Sequence, residues 1–94
     1  MLSNEQKKKL RSLAHQEKAI VMVGKHGLTE TVLESFENAL ISHNLVKVNV
    51  LKTSPISAKE VAEKLSEDFS CEVISVVGRV IVLYRYSKKG RIIV

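Results

Sequence analysis

The sequence predicts an α/β domain of order α-β-α-β-α-β-β, with a mixed four-stranded sheet packed against three helices. Three observations carry this. Two capping boxes, Ser3 with Gln6 and Ser57 with Glu60, each stand just ahead of apolar residues at helical spacing. Short β-branched runs at 19–23, 45–52, 73–77 and 80–86 alternate with the helical stretches. The last two runs are separated only by Gly78-Arg79, the signal of a tight hairpin.

The first helix covers 4 to about 15, with Leu10, Leu13 and Ala14 on its apolar stripe and Lys7, Lys8, Lys9 and Arg11 on its other faces. Residues 19–23 are apolar without a break, as in a strand buried on both faces. Thr29 is the N-cap of a second helix whose core stripe is Val32, Phe36, Ala39 and Leu40 and which stops near His43-Asn44. Over 45–52, Val46, Val48 and Val50 alternate with Lys47 and Asn49, the pattern of a half-buried strand. Ser54-Pro55 breaks it. Val61, Ala62, Leu65 and Phe69 then define a third helix ending near Ser70. The strand-helix-strand unit over 19–52 has the length of a crossover, so its two strands are expected parallel and the closing hairpin antiparallel. The runs 19–23 and 80–84 need cover on both faces, and the first helix is the element left to cover the second side.

At 94 residues, 45% of them hydrophobic, the chain is long enough for one core, and we read 1–94 as a single domain with 87–94 a basic tail. The lone Cys71 has no partner for a disulfide or a metal site, and the three histidines are far apart with no i, i+4 pair. No apolar run is long enough to cross a bilayer, and no signal-peptide core precedes the first helix. A cytoplasmic location is therefore expected, with no cofactor, membrane or small-molecule substrate, and a monomer is favoured. No nucleophile, base and orienting group gather at recognisable spacing, so no enzymatic activity is expected. Charge alternates in blocks: +4 over 1–29, −3 over 30–46, +3 over 47–59, −4 over 60–72 and +5 over 73–94. A bipolar molecule with one basic face follows. With only four aromatic residues, the composition argues against a wide base-stacking sheet of the RRM kind.

The stretch VMVGKHGLT at 21–29 takes a strand through Gly24-Lys25-His26-Gly27 into a helix N-terminus. Backbone N–H groups are unpaired there, and the helix dipole adds roughly half a positive charge. Glycines let a phosphate come close, and Lys25 and His26 add donors, so the turn suits phosphate contact. A tight strand-to-helix turn alone would also use two glycines; the basic tip and the basic first helix are what turn the reading toward an anion. A Walker loop needs an earlier glycine and a Ser or Thr after the lysine, and a dinucleotide fingerprint needs a third glycine. Neither is present. In a KH module the G-x-x-G joins two helices, whereas here it follows a strand.

Taken together, LAH at 13–15, VMVGKHGLT at 21–29, LVKVNV at 45–50 and VVGRVIVLYR at 76–85 resemble the CRM domain in its stand-alone bacterial, YhbY-like form, over about residues 3–87. The resemblance implies a compact fold similar to the C-terminal domain of translation initiation factor three. It also implies RNA binding without catalysis, with bacterial members associated with precursors of the large (50S) ribosomal subunit and plant organelle relatives with group II introns. The family's RNA-contacting loop falls on Gly24, Lys25, His26 and Gly27, and its basic helix residues on Lys7, Lys8 and Arg11. To these candidate RNA-binding residues the charge pattern adds Thr29, Lys18, Arg79, Arg85, Lys88 and Lys89. Arg79 and Arg85 could equally pair with the acidic third helix. The expected partner is thus RNA, ribosomal and in a pre-50S particle; the alternative is a protein-interaction module for a ribosomal or assembly-factor protein. His15 and His43 are read as helix-end caps, Cys71 as a packed or edge residue, and Glu63, Glu67 and Asp68 as a solvated face.

Overall fold

The computed structural model describes residues 2–16 and 21–86. It contains α1 (Asn4–Ala14), β1 (Val21–Val23), α2 (Glu30–His43), β2 (Leu45–Val50), α3 (Ala58–Phe69), β3 (Glu72–Val77) and β4 (Val80–Tyr84), in the order the sequence predicts. Residues 19 and 20 of the first expected strand and the basic tail 87–94 lie outside the described residues.

The helix starts are made by the expected side chains. Ser3 Oγ accepts from the Gln6 amide at 3.2 Å while Gln6 Oε1 accepts from the Ser3 amide at 2.8 Å, a complete capping box. Thr29 Oγ1 accepts from the Val32 amide, and Ser57 Oγ from the Glu60 amide, each at 3.2 Å. Ser70 closes α3 in the left-handed region, at φ 51°.

The sheet order is β1-β2-β4-β3. β1 runs parallel to β2 (Val21 opposite Val48, Val23 opposite Val50), and β4 is antiparallel to both β2 and β3. Two strands end sooner than their β-rich runs. Leu45 is the first residue of β2 and pairs with Tyr84, so Arg85 and Tyr86 have no strand partner to lie against. At the other end Val50 faces the last residue of β1, and the chain then turns with the Ser54 amide donating to Leu51 O at 3.0 Å. In the hairpin only Gly78 has positive φ (60°), as in a turn with glycine at the first central position.

One face of the sheet carries α2 and α3. Their inward residues, among them Phe36, Leu40, Val61 and Leu65, close over Val23, Val46, Val48, Ile81 and Leu83. The Phe36 and Phe69 rings meet edge to face at 5.3 Å and tie the two helices together. Among the described residues the other face is covered by α1, with Leu10 and Ala14 on Leu45, Ile74, Val82 and Tyr84. Leu10 is fully buried, which contributes about 1.5–3 kcal/mol. Between Val73 and Ser75 the β3 register slips by one, so an extra β3 residue stands there and Ile74 reaches the α1 cluster. α1 begins beside Glu72, whose Oε1 accepts from the Leu2 amide at 3.4 Å, and ends with Ala14 and His15 beside Val77 and Val80. It therefore runs toward the hairpin turn.

Asn44 joins the ends of three elements. It is fully buried at φ 66°; its amide donates to Leu40 O at 3.0 Å, its Nδ2 donates to Arg85 O at 2.9 Å, and its own carbonyl accepts from the Arg85 amide at 3.0 Å. Asparagine tolerates positive φ and brings the donor that the buried carbonyl needs. Asn44→Ala is expected to lower stability by about 2–4 kcal/mol, from left-handed strain plus a stranded carbonyl. Urea unfolding checks this; a loss under about 1 kcal/mol would contradict the role given to Asn44.

Candidate nucleic-acid interface

The G-x-x-G turn is a closed corner. The Gly27 amide donates to Gly24 O at 3.0 Å, which lifts Lys25 and His26 to the tip, where both are exposed. The two glycines are there for different reasons. Gly27 has φ 67° and is buried, and a Cβ on it would meet Pro55 Cγ at 3.4 Å. Gly24 has no positive φ, and a Cβ would meet only Leu51 Cδ1 at 3.8 Å, an ordinary contact. Nothing inside the fold demands glycine at 24, whereas the left-handed corner demands it at 27. Pro55 is held in place by Ser54, whose hydroxyl donates to Ile56 O at 2.8 Å and accepts from the Ile56 amide at 3.3 Å.

Strand pairing decides which cations join this corner. The Leu51 amide donates to Val23 O at 2.8 Å, so the chain passes from β2 into exposed Lys52 right beside Gly24. The Val50 amide donates to Arg79 O at 2.8 Å, so the hairpin turn lies at the same edge. Two inter-strand spacings put Arg79 about 10 Å from the corner, within roughly one Debye length at moderate salt. Arg79, Lys25, His26 and Lys52 therefore stand exposed at one edge of the sheet. The N-termini of α2 and α3 also open here, although Glu30 stands in the first turn of α2 and Glu60 in that of α3, and both carboxylates offset the helix dipoles.

On α1, Lys7, Arg11 and His15 recur at i, i+4, i+8 and form one stripe leading to the hairpin edge. Lys8 lies one position further round, with Glu5, Lys9, Ser12 and Leu13. Thr29 keeps its Oγ1 on the Val32 amide. Arg85 is elsewhere: it lies some five residues up β4 from the turn, about 17 Å by strand rise, and its Nη1 donates to Phe69 O at 3.0 Å at the α3 C-terminus. Of the two fates open to Arg85 the fold takes one close to the ion pair: the guanidinium serves α3, through a carbonyl. Lys18, Lys88 and Lys89 lie outside the described residues. Sequence reasoning did not bring Lys52 to this edge or His15 onto the α1 stripe, although the +3 block over 47–59 and the i, i+4 spacing of Arg11 and His15 were available signals.

Burial holds the Cys71 thiol protonated, its pKa pushed up to about 11 by desolvation, only partly opposed by the Arg85 charge and a backbone hydrogen bond. Its S–H donates to Leu65 O at 3.4 Å, as expected of a packed residue and not of a thiolate nucleophile. Among the described residues no three His, Cys, Asp or Glu side chains gather to hold a metal ion, and no helix is long and apolar enough to cross a membrane.

The model of the CRS1 / YhbY (CRM) domain matches residues 2–85. An RNA-binding protein of Haemophilus influenzae is 36% identical over 91 residues, covering 97% of this chain and 92% of its own. The probable RNA-binding protein YqeI of Bacillus subtilis is also 36% identical over 91 residues, covering 97% and 95%. Among solved structures, SAV1595 of Staphylococcus aureus superposes with a TM-score of 0.79 at 41% identity, over 97% of this chain and 95% of that one.

The unequal roles of the two glycines are separable by thermal unfolding. Gly27→Ala is expected to cost about 1–2 kcal/mol for a left-handed non-glycine residue, and Gly24→Ala less than about 0.5 kcal/mol. Equal losses would contradict the geometry described for the corner.

Proposed function

The chain belongs to the CRS1/YhbY (CRM) domain family, and from that membership we propose that it is a non-catalytic RNA-binding protein acting in ribosome biogenesis. It grips ribosomal RNA of large-subunit precursors by phosphate contact and shape. The observation that carries the reading is the exposed Lys25-His26 tip between Gly24 and Gly27, on the edge where Lys52 and Arg79 also emerge. Phosphate oxygens approach over Gly24, where no side chain stands, and meet backbone amides and cationic groups at once. Lys7 and Arg11 on α1 extend the contact along the backbone, and Lys18, Lys88 and Lys89 add long-range attraction. The two relatives named as RNA-binding proteins support the nucleic-acid partner; the large-subunit assignment rests on the family resemblance. A-form RNA hides its base edges in a deep major groove, so a protruding basic corner of this kind suits recognition of shape more than of sequence.

A second reading has its own observation. The outer faces of α2 and α3 are acidic and exposed, through Glu34, Glu37, Glu63, Glu67 and Asp68, and would suit a basic ribosomal or assembly protein. A partner retained in pulldowns after nuclease treatment would favour it.

Under the RNA reading, Lys25→Glu weakens binding to a ribosomal RNA fragment and makes the salt dependence shallower, the slope of log K against log salt shrinking by about one for each phosphate that the variant leaves unneutralised. Fluorescence anisotropy across a salt series measures both; an unchanged affinity removes the corner from the mechanism. Glu30→Gln is expected to act oppositely, raising affinity about twofold to fivefold at low salt by removing a carboxylate from the α2 N-terminus. Crosslinking in cells followed by sequencing tests the ribosomal assignment: enrichment of large-subunit precursor RNA is expected, and enrichment of messenger RNA alone would overturn it.

A further inference from the structure

α1 stops short of the hairpin turn, so among the described residues nothing covers the last stretch of sheet on its side. A cleft of about 240 Å³ opens there, beyond Ala14. Its floor is Val77, Val80 and Val82 with Ser75 at one side; its cationic rim is Arg11, His15 and Lys47. The register slip in β3 sets this floor, because it lets Ser75 as well as Ile74 stand against Val82 and puts Val77 on the α1 side. Val77 is 73% exposed and continues the apolar floor out to the solvent edge of the cleft. Among the described residues no carboxylate lines the cleft.

Size and charge choose the occupant. Pockets for drug-sized ligands run about 300–1,000 Å³, so this one takes a single planar ring system. An apolar floor with a cationic rim matches a group that is flat on one side and anionic on the other. We propose that the cleft receives one unpaired nucleotide of the bound RNA, its base laid on the valine floor beside the Arg11 guanidinium and its phosphate met by Arg11 and His15. Apolar side chains and the guanidinium plane both accept a base face, so the scarcity of aromatic residues is no obstacle to holding a single base. The proposal rests on the RNA-binding reading and adds a preference to it: structured RNA carrying an extruded nucleotide is held more tightly than unbroken duplex. It also gives the i, i+4 pair Arg11 and His15 a joint task at the helix end.

The test uses the full chain and two RNA hairpins, one fully paired and one identical but for a single bulged nucleotide, with affinities read by anisotropy at one salt concentration. The wild-type chain is expected to prefer the bulged RNA at least about fivefold, the low end for one base packed on side chains. Ser75→Leu, which fills the cleft, and Val77→Glu, which places a carboxylate on its exposed floor without touching the core, are each expected to bring the ratio close to one. Reading a ratio cancels the general repulsion that the added carboxylate exerts on any RNA. If wild-type chain binds the paired hairpin and shows no preference, or if both variants keep the wild-type ratio, the cleft proposal is overturned while the RNA-binding reading stands. If neither hairpin nor any ribosomal RNA fragment is bound, the RNA-binding reading itself falls and the cleft goes with it.

Discussion

The parallel pairing of β1 with β2 is the constraint from which the candidate interface follows. Two adjacent parallel strands must end at the same edge of the sheet, and in this chain each is followed by a loop and a helix. Both loops and both helix N-termini are thereby delivered to one place, the common location for ligands in sheets of this kind. The pairing is held by the apolar residues Val21, Val23, Val48 and Val50, which face α2 and α3. Core formation and the placing of the basic corner are in this sense one event. The hairpin adds Arg79 because β4 runs antiparallel to β2, so the start of β4 comes to where β2 ends.

The charge blocks acquire meaning once the layers are assembled. Acidic residues occupy the outer faces of α2 and α3 on one side of the sheet, and basic residues occupy α1 on the other. The corner sits at the end between those two sides, carrying cations that work against the carboxylates of Glu30 and Glu60. Helix dipoles at such a corner are worth only about 0.3–1 kcal/mol each and are partly offset by those acids. The exposed side-chain cations, not the dipoles, therefore dominate the positive potential of the corner.

At the opposite end the chain commits a cation to structure. Arg85 caps the last turn of α3 while its backbone pairs with Asn44, so α2, α3 and β4 are joined at this end of the sheet. Buried polar groups of this sort are stabilising only when every donor finds an acceptor, and here the Arg85 amide donates to the Asn44 carbonyl while the Asn44 side-chain Nδ2 donates back to the Arg85 carbonyl. The other end differs: Lys25, His26 and Lys52 there are exposed, and among the described residues no buried asparagine ties its loops together.

Element order, the three N-caps, the parallel crossover and the hairpin were all legible in the chain, because caps, turns and apolar periodicity act over three to eight neighbouring residues. Cover of the second sheet face by the first helix was legible for 80–84, whose Val82 and Tyr84 lie under α1. The same expectation fails for β1, where Met22 on that face is 56% exposed because α1 packs on β2, β3 and β4 instead. The corner at 24–27 could be seen as a turn with a basic tip, yet the division of labour between Gly24 and Gly27 could not, because it depends on which of the two takes positive φ, and a G-x-x-G spacing does not say which. Strand order, the register slip in β3, the union of Arg79 and Lys52 with the corner and the removal of Arg85 from it were settled only by tertiary structure. Charge in a linear sequence has sign but no direction, and only pairing and packing decide which cations share a surface and which are consumed holding the fold together.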